Sequence, residues 1–105
     1  MIYDVTRTFP NEEKFGLVSQ MRRAAVSVPA NIAEGFKRYS FKEKRHFYNI
    51  AEGSLEELKY FLILCKDLGY IASNEEFIER ANTVGRLLNG LIRSTQRQQK
   101  SSLNP

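Results

Sequence analysis

Three long segments of this chain repeat apolar residues every three or four positions, the spacing that places them on one face of an α-helix. The segments are residues 17–38, 40–68 and 73–97. Residues 1–8 have the pattern of the last turns of a further helix, which Pro10 ends. Short loops between long helices favour antiparallel neighbours. The sequence therefore predicts an all-α fold, an up-and-down antiparallel four-helix bundle with a truncated first helix.

The segment over residues 17–38 contains Pro29 near its middle. Proline removes a backbone hydrogen bond and kinks or ends many helices, so two short helices are the alternative interpretation. The apolar residues keep their phase on both sides of Pro29, which favours one continuous helix. The segment over residues 40–68 carries two adjacent apolar stripes, more than a two-helix seam needs. We expect another copy of the chain to cover the surplus apolar surface.

Capping signals mark the ends of these helices. Ser40 and Ser73 each begin a capping box, with glutamate three residues later. Gly69 suits the left-handed position that follows a helix. Residues 1–97 are predicted to form a single helical-bundle domain, and the polar residues 98–105 a disordered tail.

Composition points away from enzymes, membranes and oxidising compartments. Cys65 lies on an apolar stripe, so we expect it to be a small buried apolar residue. It is the single cysteine, which fits a reducing compartment. His46 is the single histidine and has no neighbours at metal-ligand spacing. There is no glycine-rich phosphate loop, no signal peptide and no apolar run near the ~18 residues that span a bilayer. We expect a cytoplasmic protein that is not an enzyme, has no catalytic residues, metal or cofactor, and does not contact membranes.

Charge is segregated along the chain, whose net charge is +4. Residues 47–79 hold two lysines against seven acids, whereas residues 80–105 hold five cations and no acid. In an antiparallel bundle the basic turn at residues 37–46 lies beside the end of the last helix. The predicted nucleic-acid-binding residues at this basic end are Lys37, Arg38, Lys42, Lys44, Arg45, Arg93 and Arg97. Nearby aromatic residues suit RNA, whose unpaired bases can stack. The alternative is a solvated turn beside core aromatics.

A second stripe runs beside the apolar stripe of residues 17–38, at spacings of four and three. Small and hydrogen-bonding residues there allow helices to approach closely and fix their register. The predicted subunit-interface residues are Ser27, Asn31 and Glu34 from this stripe, together with the candidate ion-pair partners Arg22, Arg23 and Glu57. The alternative is a polar flank that faces only water.

The segments SQMRRAAVSVPANIAEGFKR and IAEGSLEELKYFLILCKDLGYI resemble the 23S rRNA intervening-sequence proteins. The resemblance runs from about Tyr3 to about Leu91. The residues that match the family motif are Arg22, Arg23, Asn31, Glu34, Gly35, Ser54 and Glu57. The chain is also similar to the accessory protein of diversity-generating retroelements, a basic pentamer that engages nucleic acid and a reverse transcriptase. The resemblance implies a four-helix bundle, a cyclic homopentamer and no catalytic residues.

Two functions follow as hypotheses. The first is a non-enzymatic oligomeric protein that associates with RNA through the basic end of the bundle. The second is a structural assembly module that docks a protein partner, such as a polymerase, without RNA affinity. Charge reversal at the basic end distinguishes them, because only the first hypothesis predicts a loss of RNA binding.

Overall fold

A computed structural model describes residues 2–6 and 16–103 of the chain. In these residues it contains α1 (Ile2–Thr6), α2 (Leu17–Lys37), α3 (Phe41–Asp67) and α4 (Glu75–Leu103). The all-α class is as predicted, but the four-helix bundle is wrong: the described residues form three long helices. At ~1.5 Å per residue, the five-residue α1 spans little more than one turn and cannot serve as a fourth bundle helix. The predicted break at Pro10 lies outside the described residues.

α3 lies between the other two long helices, and α2 and α4 each run antiparallel to it. α3 packs along α2 on one side and along α4 on the other, and α1 packs on α2. Side-chain contacts join α2 to α3 at Met21 with Cys65 and at Ser27 with Ser54, and the Tyr48 ring packs against the backbone at Gly35. Residue numbers rise along α2 as they fall along α3, which fixes the antiparallel direction.

The core divides into two clusters along the helix axes. The first joins α1, α2 and α3 and contains Ile2, Leu17, Val18, Met21, Ala24, Leu58, Leu62 and Cys65. The second joins the three long helices and contains Val28, Tyr48, Ala51, Leu55, Ala81 and Leu88. The Cys65 thiol lies 3.4 Å from the Met21 sulfur and is buried, as its place on the apolar stripe predicts. Burial also raises the pKa of the Tyr48 phenol.

The molecule is long and open. Its principal extents are 58 × 23 × 16 Å and its radius of gyration is 16.3 Å, against about 13 Å for a compact domain of this length. α2 and α4 flank α3 and make no comparably extensive contact with each other. Large apolar side chains therefore stay exposed on several helices, among them Val26 on α2, Tyr60 and Ile63 on α3, and Leu87 on α4.

Both ends of α3 follow the predicted capping chemistry, whereas the Ser73 hydroxyl accepts from the Glu75 amide at 3.3 Å and α4 begins only at Glu75. The Ser40 hydroxyl accepts a hydrogen bond from the Glu43 amide at 3.0 Å and begins α3. Gly69 has a φ of +78°, and the Tyr70 amide returns to the Cys65 carbonyl at 2.9 Å, which is the Schellman arrangement. α2 is continuous through Pro29, so one helix rather than two is confirmed.

α4 ends later than the sequence indicates. It continues to Leu103, so residues 98–103 of the expected disordered tail are helical. None of the helices in the described part of the chain combines the length and apolar content of a bilayer span.

Candidate nucleic-acid interface

A shallow groove of about 280 Å³ separates the first turns of α3 from the later turns of α4. Because the two helices are antiparallel, the basic start of α3 lies beside the acid-free end of α4. The residues that line this groove, which we call the cationic groove, are Lys42, Arg45, His46, Asn49, Ile92 and Gln96. Lysine and arginine bring positive charge, and the two amide side chains bring further donors. The lining contains no carboxylate, so its chemistry suits an anion.

The predicted cations around this groove fall into two groups. Lys42 and Arg45 line the groove, and Arg93 and Arg97 are exposed on α4, each one residue beyond a lining residue. None of the four has an ion pair among residues 2–6 and 16–103. The Nε atom of Arg45 is buried and has no acceptor in that part of the chain. These four cations keep their charge available to a ligand.

The other three predicted cations bind within the protein. Lys44 Nζ donates to the Gly35 carbonyl at 3.1 Å and the Phe36 carbonyl at 3.2 Å, which satisfies carbonyls at the end of α2. Lys37 Nζ and Arg38 Nη2 lie 3.2 and 3.0 Å from the Glu34 carboxylate. The hydrogen bond and charge of Lys37, reinforced by Arg38, hold the pKa of Glu34 below its usual value.

Arg38 has a further contact that the sequence pattern does not indicate. Its guanidinium lies over the Phe47 ring, 4.7 Å from the centroid. This stacking and the Glu34 ion pair fix the turn between α2 and α3. The two residues are nine apart and lie on either side of the turn, so the periodicity of a single helix could not have predicted the contact.

Two aromatic side chains on this turn are open to solvent. Tyr39 is 98% exposed and Phe36 is 59% exposed, although one edge of Phe36 meets Tyr48 at a centroid distance of 6.1 Å. Phe41 and Phe47 are partly buried at the start of α3. The basic end therefore combines unpaired cations with exposed aromatic surface, and both parts of the predicted constellation lie at the same end of the molecule.

The predicted interface stripe lines a different groove, between α2 and α3. This polar groove, about 210 Å³, is lined by Gln20, Arg23, Ala24, Ser27, Ser54 and Glu57. The hydroxyls of Ser27 and Ser54 lie 2.8 Å apart, and Asn31 Nδ2 donates to the Ser27 hydroxyl at 3.0 Å. Arg23 and Glu57 are exposed and form no ion pair with each other in the described residues.

Arg22 does not belong to this polar groove. Its Nε donates to the Thr6 hydroxyl at 3.0 Å and its guanidinium lies 4.6 Å from the centroid of the Tyr3 ring. Arg22 therefore holds α1 on α2. Glu34 also acts within the chain, through its two cations. Of the six predicted interface residues, the structure brings Arg23, Ser27 and Glu57 together at the polar groove.

No group of three potential metal ligands occurs among the side chains that the structure describes. The geometry defines a class: a small all-α protein of long antiparallel helices, with a cationic groove at one end and a polar groove between two helices. The chain belongs to the 23S rRNA-intervening sequence protein family, whose model matches residues 1–90. The comparison with curated proteins gave no match. Similarity to the retroelement accessory protein stays a prediction.

Proposed function

We propose that this protein is a non-enzymatic oligomer that associates with RNA through its basic end. The cationic groove carries the proposal, because Lys42 and Arg45 line it, Arg93 and Arg97 flank it, and none of these has an ion-pair partner in the described chain. A fold that needed these charges for its own stability would pair them, as it pairs Lys37 and Arg38. Phosphate groups are the anions that such a set of separated cations fits best.

Self-association is the second part of the proposal. The open arrangement leaves Val26 and Leu87 more than half exposed on the two outer helices. Burying apolar surface contributes about 25 cal/mol per Å², so contact between copies through such surfaces is favourable. Arg23 and Glu57 at the polar groove, which have no ion pair in the described residues, would supply charges of both signs to a neighbouring copy. The resemblance suggests five copies, and light scattering of the purified chain measures the number directly.

RNA binding is tested by affinity as a function of salt. Each phosphate contact on a single strand contributes roughly 0.7 to the slope of log affinity against log salt. We expect a steep fall in affinity with salt for the unaltered chain. Lys42→Glu should weaken binding and reduce the slope by about one contact or more.

Lys66→Glu is the matched control. Both lysines are exposed and lie on α3, 24 residues apart, which is about 36 Å along the helix. The two variants have the same net charge, so a fall that is equal in both would show attraction to total charge and contradict a localised site. Lys44 is left unchanged, because its ammonium group caps α2 and its loss would confuse folding with binding.

Absence of RNA affinity at low salt, in a chain that still forms oligomers, would refute the proposal. That outcome would favour the alternative, an assembly module that docks a protein partner such as a polymerase.

A further inference from the structure

Tyr39 is the most exposed of the large hydrophobic side chains that the structure describes. It lies in the turn between α2 and α3, and 98% of its surface faces solvent. It has no hydrogen bond or ring contact with the described residues. An aromatic ring left fully in water adds nothing to the stability of the folded chain, and it offers two free faces to a ligand.

Tyr39 lies where the chain bends between α2 and α3. Its neighbours Arg38 and Ser40 have φ and ψ of −77° and 146° and of −84° and 143°. The Arg38 side chain lies over Phe47 and pairs with Glu34, whereas the Tyr39 side chain stays in solvent.

The same neighbours hold the turn in place. Arg38 is fixed by an ion pair and by stacking on Phe47, and the Ser40 hydroxyl is fixed by the Glu43 amide. Tyr39 thus lies between two anchored residues, so a ligand that covers its ring does not also have to order the backbone of the turn.

The charges near Tyr39 favour an anionic ligand. Lys37 has a side chain that is 70% exposed, and Lys42 is exposed with no ion pair in the described residues. The nearby acids are Glu34, which binds two cations, and Glu43, which lies in the first turn of α3. The exposed ring and the nearby lysines suit a ligand that is flat, apolar on its faces and attached to a negatively charged group. Unpaired nucleotides have these properties, whereas the bases of a duplex keep their faces stacked on each other.

We propose that Tyr39 is a base-stacking residue that makes the basic end prefer unpaired RNA to duplex RNA. This inference rests on the proposed RNA association and adds the strand type and the residue that selects it. The cations bind phosphate in either form of RNA. The ring gains contact only where a base can leave its own stack.

The test compares Tyr39→Ala with Tyr60→Ala on an unpaired RNA oligonucleotide and on a duplex of the same sequence. Tyr60 is the matched control: it is 62% exposed and lies about 30 Å along α3 from the turn. We expect Tyr39→Ala to lose about five- to a hundredfold in affinity for the unpaired strand, with little change for the duplex. Tyr39→Phe should keep the affinity, because the ring and not the hydroxyl makes the contact.

A fluorescence experiment reports the same contact directly. The chain has no tryptophan, so Tyr39→Trp introduces a single one. Stacking on a base should quench its emission when the unpaired strand is added, and Tyr60→Trp should respond far less. Equal thermal unfolding of all these variants is expected, because neither tyrosine is buried.

The outcomes separate the two proposals. If Tyr39→Ala binds the unpaired strand as tightly as the unaltered chain, while Lys42→Glu still weakens binding, the stacking inference is wrong and RNA association stands. An equal loss for strand and duplex would also refute the inference, because it would show no strand selection. If the unaltered chain binds neither RNA, both proposals fail.

Discussion

The two sides of α3 are packed in different ways. Against α2, small residues let the helices approach closely: Gly35 receives the Tyr48 ring, and the Ser27 and Ser54 hydroxyls meet at 2.8 Å. Against α4, the groove beside the buried contacts is about 450 Å³, compared with about 210 Å³ for the polar groove on the α2 side, and its lining includes Glu52, Asn82 and Asn89. The α2 side is therefore the more closely fitted of the two.

This difference suggests separate tasks for the two outer helices. The tightly fitted α2 with the start of α3 sets the position of the turn that carries Tyr39. The less closely fitted α4 supplies Arg93 and Arg97 from an exposed surface. Four sets of substitutions test whether the packing contrast is real, and they are given from the largest expected effect to the smallest.

The largest effect is expected from truncating core leucines. Leu62 and Leu88 are both fully buried, the first beside α2 and the second on α4. Leu62→Ala should lower the free energy of unfolding by about 3–5 kcal/mol, because its closely packed surroundings cannot collapse into the cavity. Leu88→Ala should cost about 2–3 kcal/mol, since the open side of α4 lets neighbours shift. Denaturant unfolding measures both, and an equal or reversed order would contradict the contrast.

Gly35→Ala should cost about 1–3 kcal/mol. A Cβ atom added at Gly35 would overlap Cε1 of Tyr48, a residue that is only 2% exposed and so cannot easily turn out into solvent. The gain in helix propensity from glycine to alanine, up to about 1 kcal/mol, is smaller than this overlap. The double variant Gly35→Ala/Tyr48→Leu should lose less than the two single variants together, because the smaller side chain leaves room for the methyl group.

The Ser27–Ser54 contact should contribute about 1 kcal/mol. Ser27 also accepts a hydrogen bond from Asn31, so Ser27→Ala should cost more than Ser54→Ala. The two hydroxyls share one contact, and the double variant should therefore cost less than the sum of the single ones. Strict additivity in a double-mutant cycle would show that the two serines act independently, each with water.

The sequence predicts the long helices well, because their apolar spacing and capping residues act locally. α2 and α3 begin and end within one residue of the expected positions. α4 runs to Leu103 instead of residue 97, since a polar composition does not prevent a helix from continuing. The four-helix bundle failed because a helical pattern in residues 1–8 says nothing about whether so short a segment can act as a bundle helix.

The candidate site was predicted in position but not in detail. Charge segregation along an antiparallel chain places Lys42 and Arg45 near α4, and the structure has them in one groove with Gln96. Which cations remain unpaired depends on side-chain directions, which spacing does not give. Lys44 turns back to cap α2, and Arg38 stacks on Phe47. The full exposure of Tyr39 likewise depends on the path of the turn, which spacing does not give.

The smallest expected effect has the opposite sign to that of Gly35 and so tests the contrast most sharply. Gly85 lies on α4 where it faces α3, and an added Cβ would be 3.5 Å from Cδ2 of Leu55, an ordinary contact. Gly85→Ala should therefore raise the free energy of unfolding by about 0.5–1 kcal/mol, the gain in helix propensity. Gly53→Ala on the open side of α3, with no atom within 4 Å, gives the propensity gain alone. If Gly85→Ala destabilises the chain while Gly53→Ala stabilises it, then α4 is fitted to α3 as closely as α2 is, and the two sides of α3 are alike.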